Sequence, residues 1–189
     1  MSEGRPLRAD ARRNREKILS TAVRVFAEEG LDAHFERIAK EAGVGTGTLY
    51  RNFPTREILI EAAYRNELTR LCDAAPDLLA ELAPRDALRA WMGRFLDYAT
   101  AKLGMAEALR AVVASGGTPY AHSQDMMLSA LASLLDAGAG AGTVRADITP
   151  ADLLAALTGV ALAAGGPGQR AQAERLLDLT LDGLSTTRP

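Results

Sequence analysis

Residues 35–53 read FERIAKEAGVGTGTLYRNF, two short helical stretches on either side of a glycine corner. Ile38 and Ala39 fall on the inward face of the first stretch, 35–42, and Ala39 is small enough to let another helix cross closely. Gly43 can take the left-handed conformation that a tight interhelical turn needs. Val44 plugs the corner. Leu49 and Phe53, four apart, anchor the second stretch, 46–52, toward the interior. Two short helices joined by a three- or four-residue turn at a steep angle form a helix-turn-helix.

The second stretch carries a pattern that a core helix has no use for. Gly45, Thr46, Gly47 and Thr48 open it, and Tyr50 then stands outward between the two inward anchors. In a helix-turn-helix the second helix enters the DNA major groove by its N-terminal residues. Small residues there let the backbone come close to base edges and phosphates, with partly positive N–H groups leading. Thr46 and Thr48 offer hydroxyls and methyl groups, and Tyr50 a phenol, to bases or phosphates. The plainer alternative is an ordinary corner of two helices with a half-buried tyrosine.

Outward from this corner, the chain reads as helix throughout. Residues 13–29 place Ile18, Leu19, Ala22, Val25 and Phe26 at three- and four-residue spacings, and Gly30 stops them. Pro54 and Thr55 open a long helix through about residue 74, with Ile58, Leu59, Ala62, Arg65 and Leu68 in the same period. Pro76, Pro84, Pro119, Pro150 and Pro167 fall where further helices should begin, and glycine clusters at 116–117, 138–142 and 165–168 lie between them. Strand signals are nearly absent. The expectation is an all-α chain of about nine helices. A small N-terminal helix-turn-helix domain with a basic arm, residues 1–54, is joined by a connector helix to a larger helical bundle, residues 55–189.

Composition narrows the function. With 189 residues, 48% of them hydrophobic, the chain can bury a sizeable core. Its longest apolar stretch, 153–164, is well short of the roughly 20 residues that span a bilayer. The first residues, MSEGRPLRADARRNREK, lack the apolar core of a secretory signal. Cys72, the single cysteine, excludes an internal disulfide and fits a reducing cytoplasm. Net charge is only −2, yet seven cations (Arg5, Arg8, Arg12, Arg13, Arg15, Lys17, Arg24) face two acids (Asp10, Glu16) between residues 5 and 24. From residue 71 onward, nine Lys and Arg face thirteen Asp and Glu. A basic front on an acidic remainder suits a protein of which only one end meets nucleic acid.

The stretch from Arg15 to Tyr64 resembles the DNA-binding domain of the tetracycline-repressor (TetR) family of bacterial transcription regulators. The pattern IA..AGV...TLY..F..(K/R)..L runs unbroken through residues 38–59. The resemblance implies a homodimer on a palindromic operator, usually a repressor released by a small molecule. By matched position it implies that Thr46, Gly47 and Tyr50 face base edges while Thr48, Asn52 and Arg56 hold phosphates. Three positions depart from the family. Gly45 and Thr46 stand where Ser and Lys are common, which removes a cap and a DNA contact that Arg51 or the basic arm would replace. His34 stands where a threonine cap is usual, so the first motif helix is expected to begin at Asp32 or to fray. Arg56 replaces a common lysine and keeps the charge.

The C-terminal part implies a receiver and a dimer surface. Trp91, Phe95 and Tyr98 lie at i, i+4 and i+7 beside Met92, and Met105, Met126 and Met127 could line the same interior. Plain core is the simpler reading of any one of them. As a set they suit an adaptable pocket for a neutral or mainly hydrophobic effector. Residues 150–164 are apolar on almost every side, with Ala155, Gly159 and Ala163 as a small-residue stripe, so this helix must be covered on both faces. With the last helix, 171–184, it would form an intersubunit four-helix bundle over about residues 150–187; a buried helix within one monomer is the simple alternative. No metal-spaced histidine pair is present, and GAGAGT at 138–143 follows helix rather than strand, so no cofactor, metal or enzymatic role is expected. A helical ligand-binding or interaction protein that never touches DNA is the alternative, and it leaves Thr46, Gly47 and Tyr50 without a purpose.

Overall fold

The computed structural model describes residues 4–164 and 168–186, with side chains from residue 10 onward. Among these, nine α-helices follow one another: α1 Gly4–Glu29, α2 Phe35–Ala42, α3 Thr46–Asn52, α4 Arg56–Glu81, α5 Pro84–Gly104, α6 Ala106–Ala114, α7 Ser123–Gly140, α8 Pro150–Ala164 and α9 Arg170–Gly183. A 3-10 turn, Gly30–Asp32, follows α1, and the described residues hold no strand beyond one isolated bridge between Val144 and Ser185. The helices divide into two compact units, Met1–Glu67 with Ala101–Pro119, and Leu68–Thr100 with Tyr120–Pro189.

In the first unit, the apolar period of α1 becomes core: Ile18, Leu19, Ala22, Val25 and Phe26 are all buried. Gly30 ends the helix with φ +58°. The start of α2 differs from expectation. It begins at Phe35, neither at Asp32 nor frayed, because His34 caps it through the main chain: the His34 carbonyl accepts from the Arg37 and Ile38 N–H groups at 3.1 and 3.2 Å, with no side-chain cap. Gly43 takes φ +69°, and the Val44 N–H closes on the Ala39 carbonyl at 3.0 Å, which makes the corner. Val44 itself stays half-buried. The segment 101–119 packs into this unit at close range. A Cβ at Gly104 would stand 2.7 Å from that of Ala27, so only glycine permits this approach of α5 to α1.

Helix α4 corrects two expectations. The helix opens directly after Thr55 as foreseen, with Thr55 Oγ1 accepting from the Ile58 N–H at 3.3 Å, but it runs through Pro76 to Glu81 instead of ending near residue 74. A proline inside a helix costs about 3 kcal/mol. Leu71, Ala74, Ala75 and Leu78 are buried on the same face across it, and burial of leucines at about 1.5–3 kcal/mol each outweighs that cost. The inward row is Leu59, Ile60, Ala63, Tyr64 and Leu68, whereas Ile58 and Arg65 point to solvent.

In the second unit, α5 contributes Trp91, Phe95 and Tyr98, and α8 lies against both α7 and α9. Pro84 and Pro150 do open helices; Pro119 does not, since α7 starts at Ser123 after His122 in the left-handed region at φ +60°. Pro167 and most of the last glycine cluster lie outside the described residues. Gly138 is not in a loop. Helix α7 continues to Gly140, and a Cβ at Gly138 would meet Val144 Cγ2 at 2.6 Å, so the glycine lets the returning chain lie on the helix. Arginines stitch α5 to α9: Arg85 to Asp182 at 2.8 Å, Arg89 to Asp178 at 2.6 Å and to Glu174 at 2.7 Å, with Arg170 reaching Glu174 and Asp97. Arg89 and Arg170 hold the Glu174 carboxyl below the usual carboxylate range.

Candidate nucleic-acid interface

Helix α3 is anchored by Leu49 and Phe53, both at most 1% exposed. The opposite face is open: Gly47, Tyr50, Arg51 and Asn52 are exposed, and Thr46 and Thr48 are half-buried. Its opening is made by the main chain alone. Gly45, in extended conformation, accepts from the Thr48 and Leu49 N–H groups at 2.8 and 3.2 Å, and no side chain caps the helix.

Neither glycine of this opening is required by the protein itself. Both lack positive φ; a Cβ at Gly47 would meet nothing within 4 Å, and one at Gly45 only Thr48 Oγ1 at 3.9 Å. At Gly47, inside the helix, alanine would stabilise by about 0.5–1 kcal/mol; at Gly45, the extended residue before it, glycine suits the helix start better than alanine. Nothing in the chain itself fills the space at Gly47.

The polar side chains of α3 are already ordered. Arg51 Nη2 donates to Thr48 Oγ1 at 3.1 Å, and Asn52 Nδ2 donates to the Thr48 carbonyl at 2.8 Å. Thr48 therefore organises its neighbours. Tyr50 rests against Phe35 of α2, ring centroids 5.0 Å apart. Arg56 donates to the Leu31 carbonyl and ties the start of α4 to the turn after α1. The Arg15 guanidinium sits 4.7 Å from the Phe53 ring centroid, pinning the end of α3.

Electrostatics at the back of the motif revise the charge reading. Arg24 pairs with Glu28 at 3.2 Å and with Glu41; Arg37 pairs with Glu41 at 2.8 Å and with Glu28 and Glu29. Arg24 thus stitches α1 to α2 and is spent inside the motif. Arg37 and Arg24 pull the Glu28 carboxyl below its ordinary value, and Arg24 and Arg37 do the same to Glu41. Arg13 pairs with Asp10, and Arg12 lies 3.7 Å from Glu16. Phe35 and this cluster were not singled out from sequence. The four-residue spacings Arg24–Glu28 and Arg37–Glu41 were the available signal.

The expected receiver residues do not form one set. Trp91, Phe95 and Tyr98 make a buried ring ladder with centroids 6.0 and 6.1 Å apart, and the Trp91 indole N–H donates to the Leu71 carbonyl at 2.9 Å. Met92 is buried beside them; Met105 is buried in the other unit. Met126 instead lines an open groove of about 470 Å³ with Cys72, Pro76 and Ala130, and Met127 is half-buried. Burial, then the Asp73 charge, push the Cys72 thiol up to about 11, so it stays protonated near neutrality.

Residues 18–63 match the model for bacterial regulatory proteins of the tetR family, and residues 83–186 that for the C-terminal domain of SbtR-like transcriptional regulators. The solved TetR transcriptional regulator SCO0520 from Streptomyces coelicolor is 70% identical, with a TM-score of 0.90 over 92% of this chain and 99% of that one. A TetR transcription regulatory protein from Mycobacterium vanbaalenii is 36% identical, with a TM-score of 0.78 over 96% and 100%. An HTH-type transcriptional regulator of Staphylococcus aureus (strain USA300) is 41% identical over 63 residues, 33% of this chain and 34% of that protein. The chain thus spans about a third of the length of the curated relatives it matches. With one regulator model over more than half its length, the chain belongs to the TetR family of DNA-binding bacterial transcription regulators, which are not enzymes.

Proposed function

We propose that this regulator is a cytoplasmic homodimeric repressor that binds a palindromic operator and is released by a small molecule. Residues 1–54 read the DNA, and residues 55–189 bind the effector and dimerise. The single observation that carries the DNA half is Gly47, a helical glycine on the exposed face of α3 whose missing side chain would meet nothing in the chain. Thr46, Gly47 and Tyr50 address base edges. Arg51, Asn52 and Arg56 address phosphates, and Thr48 holds Arg51 and Asn52 in place while remaining within reach of the backbone. Each subunit fills one major groove, with half-sites about 34–36 Å apart or slightly more.

The dimer half rests on faces that the chain leaves bare. Helix α8 buries Leu153, Leu157, Val160, Ala161 and Ala164, yet Ala155, Gly159 and Ala163 are exposed and Leu162 is 73% exposed. On α9, Leu179 is 68% exposed. Apolar residues at such exposure, on two consecutive helices, suit an isologous contact with a second copy. No helix among the described residues is long and apolar enough to cross a membrane. The effector is neutral or mainly hydrophobic, received near the Trp91–Phe95–Tyr98 ladder, and its binding tilts α4 and spoils the half-site spacing.

The test is titration of the purified full-length protein onto fragments of the promoter beside its own gene, across a salt series. Sequence-specific binding whose logarithm falls linearly with that of salt is expected. Failure to bind any fragment at low ionic strength, with and without candidate inducers, ends the proposal.

A further inference from the structure

Tyr50 has little on its own helix to hold it. Three residues earlier stands Gly47, with open space where a side chain would be. Three residues later the chain has left the helix at Phe53, which is turned inward. On α3 alone, with only Thr46 four residues back, the ring could exchange between the two χ1 rotamers that a helix allows, at about 180° and −60°. It lies instead against Phe35, the first residue of α2, with centroids 5.0 Å apart and planes inclined at 37°. That separation lies within the range of about 4.5–7 Å of attractive aromatic pairs. Phe35 is only 6% exposed, whereas Tyr50 is 46% exposed. One ring is fixed in the core, and the other leans on it with its edge in solvent.

We infer that Phe35 is a positioning residue for operator recognition: it holds the Tyr50 phenol in its binding rotamer before DNA arrives. The inference rests on the reading of Tyr50 as a DNA contact. Phe35 is too buried to touch a duplex, so its effect must pass through Tyr50. A side chain ordered in advance loses less freedom on binding, a saving of about 0.5–1.5 kcal/mol per residue, or roughly three- to tenfold in affinity. The pair also bridges the two helices of the motif at an end where α2 has no side-chain cap. The phenol is therefore placed by the corner's own packing.

The test uses the full-length protein and a duplex that it selects from a random-sequence library, titrated by fluorescence anisotropy. Phe35→Leu and Phe35→Met keep an apolar side chain and remove the ring. Each is expected to weaken the selected duplex about three- to tenfold and to leave the salt slope unchanged, because no phosphate contact is lost. Added to Tyr50→Ala, each should cost nothing further. Folded Phe35 variants that bind like the wild type, or losses that add in full to that of Tyr50→Ala, overturn the inference. Tyr50→Ala binding as the wild type does removes the reading beneath it, a separate result. A second measurement needs no change at position 35: the side-chain couplings of labelled Tyr50 in the free wild-type protein should show one dominant χ1 rotamer. Free averaging among rotamers overturns the inference even if both Phe35 variants fail to fold.

Discussion

The outer face of α3 and the outer faces of α8 and α9 are both left bare by a single chain, in opposite ways. On α3 the exposed residues are a glycine, a phenol, a guanidinium and an amide, with the apolar anchors Leu49 and Phe53 turned inward. On α8 and α9 the exposed residues include Leu162 and Leu179 beside a stripe of alanine and glycine. A polar, donor-rich face without bulk suits a charged and hydrated partner. An apolar face with small side chains suits a second copy of itself, where burial is favourable and close approach is cheap. Exposure alone does not tell the two apart. The chemistry of what is exposed does.

The largest effect should come from charging the apolar face. Leu162→Glu with Leu179→Glu should raise the dimer dissociation constant by more than about 100-fold, since unpaired charge at the centre of an interface is heavily penalised. Sedimentation velocity reads it, and a variant that stays dimeric would place the second copy elsewhere. Next comes Tyr50→Ala, expected to cost about 1–3 kcal/mol on the operator with the dimer intact. Unchanged binding would show that the face of α3 is not the reading surface.

Gly47→Ala sharpens the contrast, because stability and binding should move in opposite directions. The melting temperature should hold or rise, in line with about 0.5–1 kcal/mol of helix stabilisation. Operator affinity should fall about tenfold as the methyl group meets the duplex. A variant that melts higher and binds as well as the wild type would mean nothing approaches there.

The acid response is a smaller effect. Glu28 and Glu41 titrate below the ordinary 4.5 because Arg37 and Arg24 hold their ionised forms. Depressed carboxyl values add stability that is present above the unfolded value and lost as pH falls through the folded one. The melting temperature should therefore drop below about pH 4.5, and Arg37→Ala should flatten that drop. Equal slopes in both proteins would discount the cluster. Smallest of all, Arg12→Ala with Arg13→Ala should lower the salt slope of DNA binding by at most about two. An unchanged slope would remove the basic arm from the interface.

The corner of the motif was legible in the chain. Gly43 in the left-handed region, the end of α2, the limits of α3, and the inward pair Leu49 and Phe53 all depend on neighbours within a turn or two. His34 misled because a poor side-chain cap says nothing of the carbonyl beside it, which does the capping. Pro76 misled because a local penalty was weighed without the buried face that runs past it. Arg24 was counted among the cations offered to DNA, although Glu41, seventeen residues on, takes up its charge.

By itself, then, the sequence determined what near neighbours decide: helical periodicity, the glycine corner, an aromatic placed outward, and the pattern of a DNA-reading family. Only the tertiary structure decided which cations stay available, that Gly138 admits Val144 and Gly104 admits α1, which side of α8 is left uncovered, and that Phe35 meets Tyr50. The physical reason is range. Backbone propensity and capping act within a few residues, whereas burial, ion pairing and ring contact depend on side chains that meet only after the chain has folded back on itself.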